Sequence, residues 1–594
     1  MRKEVFVFAL VICAVSGSNG FGALQAQVAP GRFWVGFEDK VGSGFSLDAP
    51  TAFLSDRALD RRSRAGIAVD SLDLPVAAFH LDEVLSVDPS ISLVHVSRWF
   101  NGGVFWLSDS ASTDSLLGVI GDLTVVAEVR REAVIAGEKM PVEGRDFVGL
   151  GDENSSGSAP VYGASRGQIE MINLHFLHGL GYLGAGKRIA VLDAGYDNAD
   201  ELAPFDAGFD AGRIEPALDV VAGASGVWQY AHHGHGTMVL STMTADSPGE
   251  MVGSGPAADY RLYRTEDVGS ERLIEEFNWT VAAEHADSTG CDIINSSLGY
   301  SLFDDSLDHH VYQFMDGQTY RISLAAGLAA TRGMLVVTSA GNSGDNPWHY
   351  ITAPADAHGI LAVGAVDGLR EHANFSGYGP AADGRVKPEV CTQGRDATYL
   401  NPDGSIRQGN GTSFSSPILA GAAAALWSAH PTRSSAEIRG AIIASSDRFT
   451  SPDDAYGYGI PDFWEAHRLL GGAVDAGLGV VGLGGDDSGA GLWVYPNPSG
   501  GSVGSSSGSG GSSGGLLRVV YDIQGGGPAI GDLGWSLYDA SGRRVLDGWV
   551  ERAKSALVTF HIDVRGLAAG SYILEAHGGE SAGSSAWARV MIGG

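Results

Sequence analysis

The chain has 594 residues, too many for one compact domain, so three or four folding units of roughly 150 residues each are expected. Apolar residues make up 44% and charged residues 18%, a composition that excludes a largely disordered chain. The 70 acidic and 38 basic side chains leave a net charge of −32, which argues against nucleic acid as a partner and favours a surface kept soluble outside the cell.

The N-terminus has the pattern of a secretory signal peptide. Arg2 and Lys3 precede an apolar run from Val5 to Val15, and small residues then lead to a cleavage point after Ala26. The run is shorter than the roughly 20 residues that span a bilayer, and no later uncharged stretch reaches that length. We therefore predict that residues 1–26 are removed and that the protein is secreted or held at the cell surface.

Residues 27–137 predict a small α+β unit. A strand, a helix with Ser55 as N-cap, a hairpin, a second helix and a last strand follow in order: Phe33–Phe37, Ser55–Ala65, Ile91–Leu107, Ser115–Ile120 and Thr124–Val129. Residues 138–160 are rich in Gly, Ser, Glu and Asp, which indicates an exposed linker that proteases reach easily.

Residues 161–471 alternate strand-length apolar runs with helical segments, which predicts an α/β fold with a parallel sheet between two layers of helices. The predicted strands are Arg188–Asp193, Tyr260–Arg264, Asp292–Ser296, Met334–Ser339 and Ile360–Val366. Sites in open sheets lie at the carboxyl ends of strands, and Asp193, Ser297 and Asn342 all fall there.

The C-terminal part predicts an all-β unit. Residues 472–492 are rich in Gly and Asp and predict a second linker, whereas residues 493–594 predict a β-sandwich. Turn signals separate its predicted strands, which are Leu517–Ile523, Trp535–Asp539, Leu557–Val564, Tyr572–Ala576 and Ala586–Ile592.

Three segments supply the residue types of an activated serine nucleophile. Asp193 closes an apolar strand, His235 leads into an apolar helical run, and Ser413 opens a hydrophobic helix. A serine hydroxyl is a weak nucleophile at neutral pH and needs a neighbouring base, a role that suits histidine because its pKa lies near neutrality. A carboxylate on the other ring nitrogen would fix the tautomer of that base.

The same segments offer donors for an oxyanion. A serine at a helix N-terminus presents its backbone N–H to developing negative charge, and Asn342, in a Gly-rich loop, could give a second donor. Ser415 and Ser416 compete with Ser413 for the role of nucleophile. The position of Ser413 after Gly411-Thr412, at the expected start of a helix, favours Ser413.

These segments resemble the subtilase family of serine peptidases. Its signatures match Asp193-Ala194-Gly195, His235-Gly236-Thr237, and Gly411-Thr412-Ser413 with Pro417, and Asn342 matches the oxyanion asparagine. The resemblance implies a subtilisin-like fold and a serine endopeptidase in which Asp193, His235 and Ser413 form the triad. Ala194 departs from the family, where Thr or Ser is usual beside the Asp.

The resemblance also implies how substrate binds. The segment Ser297-Leu298-Gly299 would pair with the backbone of a polypeptide substrate, and with Ser339-Ala340-Gly341 it would form the walls of the primary specificity pocket. No cofactor is required for this chemistry. Subtilases often bind structural calcium, but no loop of this chain has a recognisable calcium pattern.

The flanking units resemble parts of subtilases exported by Bacteroidetes-type bacteria. The element order of the N-terminal unit resembles a subtilase propeptide, which acts as folding chaperone and inhibitor until it is cleaved. Val494–Pro498, Leu537–Arg543 and Leu567–Tyr572 resemble the type IX secretion sorting domain, which implies the outer-membrane secretion machinery as a partner. The Gly/Ser stretch Gly500–Gly515 and the absence of a basic cluster in the last residues, Arg589–Gly594, depart from that domain.

Other interpretations fit fewer residues. His232, His233 and His235 match no standard zinc spacing, and the glycines of Gly179–Gly184 precede a strand where a dinucleotide-binding loop would follow one. A non-catalytic surface or adhesion protein on a subtilase fold, and an esterase or amidase using the same triad, remain as alternatives. The intact triad residues argue against the first.

Overall fold

The computed structural model describes residues 31–108, 113–131, 162–224, 226–228 and 233–472, together with eight strands of the C-terminal part. The predicted signal peptide, residues 1–26, and the predicted linker, residues 138–160, lie outside the described residues. Among the residues that are described, no helix is both long enough and apolar enough to cross a membrane.

The N-terminal unit, residues 31–131, contains one antiparallel sheet in the order β2-β3-β1-β4. Its elements are β1 Arg32–Phe37, α1 Asp56–Ala65, α2 Ala78–Val87, β2 Ile91–Ser97, β3 Gly102–Leu107, α3 Thr113–Gly121 and β4 Val126–Arg131. The predicted strand, hairpin and N-cap are confirmed, because the Ser55 hydroxyl oxygen accepts the Ala58 N–H at 3.3 Å. Helix α2 was not predicted, because its N-cap residue is Ala77, whose side chain cannot cap the helix and so gave no start signal.

Strand β1 directs alternate side chains to opposite faces of this sheet. Phe33 and Val35 pack into the unit's own core, beneath α2 and α3. Trp34 points the other way, into an apolar cluster with Phe277 of the next unit. The N-terminal unit therefore uses one face of its sheet to fold and the other to contact its neighbour.

The central unit, residues 162–472, is built around a seven-stranded sheet in the order β13-β12-β11-β10-β5-β9-β6. All the neighbouring strands of this sheet are parallel. The strands of the seven-stranded sheet are β5 Arg188–Asp193, β6 Ile214–Asp219, β9 Asp259–Arg264, β10 Ile293–Ser296, β11 Leu335–Ser339, β12 Leu361–Val366 and β13 Val390–Gln393. Two further antiparallel pairs are β7 Asp246–Ser247 with β8 Met251–Val252, and β14 Ala397–Leu400 with β15 Ile406–Gly409. The helices are α4 Arg166–Met171, α5 Leu174–Gly179, α6 Ala203–Asp210, α7 His235–Thr244, α8 Ile274–Thr289, α9 Arg321–Thr331, α10 Thr412–Ala429, α11 Ser435–Ala444 and α12 Phe463–Leu469.

Two apolar cores cover the two faces of this sheet, as an α/β architecture requires. In β5, Ile189 and Val191 face one core, which α7 and α10 complete. Ala190 and Leu192 face the other, which α8 and α9 complete. The five predicted strands are confirmed to within a residue at their starts, but the edge strands β6 and β13 were missed because they are short or carry polar residues.

The C-terminal strands form two antiparallel sheets, in the orders β16-β23-β22-β19-β20 and β17-β18-β21. They are β16 Gly479–Gly482, β17 Gly491–Pro496, β18 Leu516–Asp522, β19 Leu533–Asp539, β20 Arg544–Val550, β21 Leu557–Asp563, β22 Gly570–Gly578 and β23 Ser585–Ile592. Strand β16 lies inside the stretch predicted as a second linker and pairs with β23. The packing of the two sheets as a sandwich stays a prediction.

Candidate active site

Three adjacent parallel strands bring candidate residues to one edge of the sheet. Asp193 is the last residue of β5, Ser297 follows β10, and Asn342 follows β11 by three residues. Because β10 lies between β5 and β11, the carboxyl ends of these strands open onto the same space. The site predicted at this edge is therefore assembled by the sheet itself.

Helix α7 carries His235 to Asp193. A Cβ on Gly236 would stand 2.5 Å from the Gly195 carbonyl oxygen, so only glycine lets the helix begin this close to the loop after β5. The Gly236 N–H donates to that carbonyl oxygen at 2.9 Å. As a result, Nδ1 of His235 lies 2.7 Å from Oδ1 of Asp193, which is fully buried.

Only one carboxylate oxygen of Asp193 has hydrogen-bond partners among the described residues. Oδ1 also accepts the backbone N–H of Ala194 at 2.7 Å, while Oδ2 is buried without a hydrogen-bond partner among the described residues. Burial works to lower the pKa of His235, but the charge and hydrogen bond of Asp193 and the charge of Glu266 outweigh it. The pKa of His235 therefore lies above its usual value, and the imidazolium form is stabilised.

Helix α10 places Ser413 against the same strand ends. The Ser413 hydroxyl donates to the Ser297 carbonyl oxygen at 3.2 Å, and Ser297 Oγ donates back to the Ser413 carbonyl oxygen at 2.9 Å. Met238 of α7 and Phe414 of α10 belong to one apolar cluster, which holds the two helices together. Within the described part of the chain, no hydrogen bond joins Ser413 to His235.

The competing serines face the interior. Ser415 and Ser416 are fully buried, whereas Ser413 is partly exposed. The Ser415 hydroxyl donates to the Thr392 carbonyl oxygen at 3.4 Å, and Ser416 Oγ lies 3.2 Å from Ser297 Oγ. Their placement supports Ser413 as the nucleophile.

Thr412 fixes the orientation of the Asn342 amide. Asn342 Oδ1 accepts the Thr412 N–H at 2.8 Å and the Thr412 hydroxyl at 2.9 Å, so this atom must be the oxygen. A Cβ on Gly411 would stand 3.7 Å from both Asn342 Nδ2 and the Ser413 nitrogen. Both nitrogens therefore lie within 3.7 Å of one point, a placement compatible with two donors to a common oxyanion.

The two predicted wall segments lie side by side, since the Ser339 hydroxyl donates to the Leu298 carbonyl oxygen at 3.0 Å. Sequence reasoning missed Thr352, whose side chain lies between them. Its hydroxyl oxygen is 2.1 Å from where a Cβ of Gly299 would stand and 2.5 Å from that of Gly341. Thr352 is 4% exposed and belongs to a loop without a motif, so nothing local in the sequence pointed to it.

Glu266 is a second residue that the sequence did not single out. It follows β9, beside Asp193, and accepts hydrogen bonds from the hydroxyl groups of Tyr300 and Thr265. Burial raises the pKa of Glu266 to about 7, against these hydrogen bonds. This carboxyl therefore changes its charge in the pH range where a histidine base operates.

The other candidate sites receive no support from the described residues. His233 is described and His232 is not, and no group of three His, Cys, Asp or Glu side chains in the described ranges could hold a metal ion. Gly179 ends α5, and Gly181 and Gly184 lie between that helix and the start of β5, so these two glycines belong to the turn into that strand.

Two family profiles match the chain. The one described as "Subtilase family" covers residues 184–459, and the one described as the Peptidase S8 propeptide domain of Bacteroidota covers residues 32–142. These two ranges contain most of the central and N-terminal units.

Subtilisin BL from Lederbergia lenta is 30% identical over 302 residues, which are 50% of this chain and 97% of the relative. Subtilisin DY from Bacillus licheniformis is 29% identical over 297 residues, which are 49% of this chain and 93% of the relative. A solved structure, the prenylagaramide maturation protease PagA, has a TM-score of 0.40 and 22% identity, covering 50% of this chain and 98% of that one. The subtilisin relatives and the first profile show that the chain belongs to the subtilase family of serine peptidases, and the second profile shows that it carries the propeptide domain of the Bacteroidota members.

Proposed function

We propose that this chain is the precursor of a secreted serine endopeptidase. It consists of a signal peptide (1–26), a propeptide (27–137), a catalytic domain (161–471) and a C-terminal sorting domain (493–594). The observation that carries the proposal is the 2.7 Å contact between His235 and the buried Asp193, at the strand edge where Asn342 and Ser413 offer two nitrogens to one space.

Catalysis begins when the Ser413 hydroxyl leaves the Ser297 carbonyl oxygen and gives its proton to Nε2 of His235. Oγ of Ser413 then attacks the carbonyl carbon of the scissile peptide bond, and Asp193 stabilises the imidazolium that forms. Hydrogen bonds to a nucleophile often tighten only when substrate binds, so the apo geometry is compatible with this step.

The tetrahedral oxyanion lies between Asn342 Nδ2 and the Ser413 N–H. His235 next returns its proton to the leaving amine, the peptide bond breaks, and an acyl group remains on Ser413. Water attacks this acyl-enzyme by the same proton route and releases the second product.

A polypeptide substrate binds as an added strand along Ser297-Leu298-Gly299. Strand addition uses main-chain hydrogen bonds for affinity and one pocket for selection, which suits an enzyme that cuts inside proteins. The walls at Gly299 and Gly341 and the side chain of Thr352 select the residue that enters the pocket. The N-terminal unit blocks the precursor, and the sorting domain directs export.

A fluorophosphonate probe tests the nucleophile. The mature protein should be labelled, the Ser413→Ala variant should not, and the matched Ser415→Ala variant should keep its label because that hydroxyl faces the interior. Labelling of Ser413→Ala would assign the reactive nucleophile to another residue, whereas no labelling of the unaltered protein would favour the non-catalytic alternative. Either result would refute the role of Ser413.

Self-processing is tested on the same variant. The Ser413→Ala precursor should stay uncut between residues 137 and 160, whereas the unaltered precursor is cut there. Cleavage of the variant in a purified preparation would show that another protease matures the chain.

A further inference from the structure

The backbone around Thr352 is bonded to both walls of the predicted specificity pocket. The Thr352 N–H donates to the carbonyl oxygen of Ala340, which belongs to one wall, at 3.1 Å. Ala353, the next residue, exchanges two backbone hydrogen bonds with Tyr300, at 2.8 and 3.0 Å, and Tyr300 directly follows the other wall. Thr352 is therefore held between the walls, and its side chain cannot leave the pocket unless these hydrogen bonds break.

The hydroxyl group of Thr352 is buried and has no hydrogen-bond partner among the described residues. The other hydroxyl groups of the walls are engaged, because that of Ser297 donates to the Ser413 carbonyl oxygen and that of Ser339 to the Leu298 carbonyl oxygen. A buried hydroxyl without a partner loses the hydrogen bonds that water gives it in the unfolded chain, and this loss lowers stability. The pocket therefore carries an unused polar group that a ligand is able to satisfy.

This hydroxyl is directed at the gap between the two glycines of the walls. Thr352 Oγ1 is 2.1 Å from where a Cβ of Gly299 would stand and 2.5 Å from that of Gly341, whereas Thr352 Cβ is 3.2 Å from both positions. The oxygen is thus the part of the side chain that reaches farthest into the gap. Because the gap is filled at this depth, the space above it suits a short substrate side chain.

An apolar and a polar side chain of equal size affect this hydroxyl in opposite ways. An apolar side chain that enters the pocket excludes water and leaves the hydroxyl without a partner. A side chain with its own hydroxyl or carboxamide group supplies that partner. Sites with a polar group of this kind discriminate strongly against substrates that lack the matching group, because the buried group is then left unpaired.

We propose that Thr352 makes the pocket selective for a short, hydrogen-bonding side chain, that of serine, threonine or asparagine, immediately before the scissile bond. The filled gap between Gly299 and Gly341 sets the length of that side chain, and the free hydroxyl sets its polarity. The inference rests on the proposed function and adds to it the chemical class of residue after which the enzyme cuts.

The test measures kcat/KM of the mature enzyme on two peptides that differ only in the residue before the scissile bond. Threonine and valine have the same shape, so their comparison isolates one hydroxyl group. The threonine peptide should be cut about 10-fold more efficiently, the size of one neutral hydrogen bond. Thr352→Val removes the hydroxyl of the enzyme at constant shape and should bring the ratio to about 1. Thr352→Ser keeps the hydroxyl and should keep most of the preference.

Thr398→Val is the matched control. Its hydroxyl is also buried but donates to the Ala164 carbonyl oxygen at 2.9 Å, and Thr398 lies in β14, outside the walls. This variant should keep the preference for the threonine peptide. If Thr352→Val yields no folded enzyme, Thr352→Ala takes its place, because it also lacks the hydroxyl.

Equal kcat/KM on the two peptides, in a protein that the fluorophosphonate probe labels, would overturn this inference and leave the proposed function standing. A preference that survives in Thr352→Val, or that disappears in Thr398→Val, would overturn it as well. Absence of both labelling and cleavage would refute the proposed function, and the inference would fall with it.

Discussion

Two fully buried aspartates of the central unit have opposite surroundings. Asp193, at the carboxyl edge of the sheet, uses only Oδ1, for His235 and the Ala194 N–H, and leaves Oδ2 without a partner among the described residues. Asp287, near the end of α8, has both oxygens engaged by three guanidinium groups. Both side chains are 0% exposed, so the difference lies in their partners and not in their burial.

The comparison distinguishes a carboxylate that raises the pKa of a neighbouring side chain from one that joins two units of the chain. Among the described residues, the only ion-pair partner of Asp193 is the His235 imidazole, so the field of this carboxylate raises the pKa of His235. The charge of Asp287 is compensated by three guanidinium groups for as long as the N-terminal unit is in place, so its contribution goes into the contact between the two units.

Exchanging Asp193 for Asn should produce the largest loss of activity. Asn keeps the size of the side chain but removes the charge and favours the wrong tautomer of His235, which in serine proteases lowers kcat by about 10⁴-fold. We expect that loss in kcat on a peptide substrate, with little change in the denaturant midpoint of the Ser413→Ala precursor. A kcat within 10-fold of the unaltered enzyme would remove Asp193 from the triad.

Asp287→Asn should show the reverse pattern, with a large loss of stability and little loss of kcat. Breaking a buried ion pair by removing one partner typically costs about 3–5 kcal/mol, and the unfolding free energy of the uncut Ser413→Ala precursor should fall by that amount. The control is Asp403→Asn, an exposed partner of Arg407, which should change little. Equal stability of the Asp287 and Asp403 variants would show that burial of the pair contributes nothing.

Asn342→Ala tests the second donor to the oxyanion. Loss of one such donor in subtilisin costs about 10²–10³ in kcat, and KM should change little because the ground-state carbonyl makes a weaker hydrogen bond. Asn410→Ala, at an exposed asparagine just before Gly411, is the control and should keep kcat. A rise in KM at constant kcat would assign Asn342 to substrate binding instead.

Thr352→Gly should alter selectivity while leaving the chemistry intact. Emptying the space between Gly299 and Gly341 deepens the pocket, so kcat/KM for substrates with a large aromatic residue before the scissile bond should rise about 10-fold over those with alanine. Thr352→Ser keeps the hydroxyl and should shift the ratio less. An unchanged ratio in Thr352→Gly would place the pocket floor elsewhere.

The sequence predicted what local patterns encode. Asp193, His235 and Ser413 each lie in a short motif at the end of a strand or the start of a helix, and the alternation of strands and helices predicted the sheet that brings those ends together. Contacts between distant segments leave no such pattern. Arg62 and Asp287 are 225 residues apart. In the sequence, nothing distinguishes Asp287 from an aspartate on the solvent-exposed face of a helix. Thr352 was missed for the same reason, since only the folded backbone places it between Gly299 and Gly341.

The pH dependence of kcat/KM separates two contributions to the raised pKa of His235. The larger comes from Asp193 and the smaller from Glu266. His235 accepts a proton only when it is neutral, so activity must rise with pH, and its raised pKa places that rise above the usual titration of histidine. Glu266, with a pKa of about 7, ionises over the same range, and the two coupled groups should broaden the rise beyond a single-proton curve.

Glu266→Gln removes a negative charge that raises the pKa of His235, so the midpoint should move to lower pH and the curve should narrow to one proton. Glu437→Gln serves as the control, because that carboxylate is exposed and is not among the groups that shift His235. A midpoint that stays in place would mean that, of the two carboxylates, only Asp193 raises the pKa of His235, and a midpoint that moves upward would contradict the direction assigned to the Glu266 charge. In that case Glu266 would serve only as the buried partner of Tyr300.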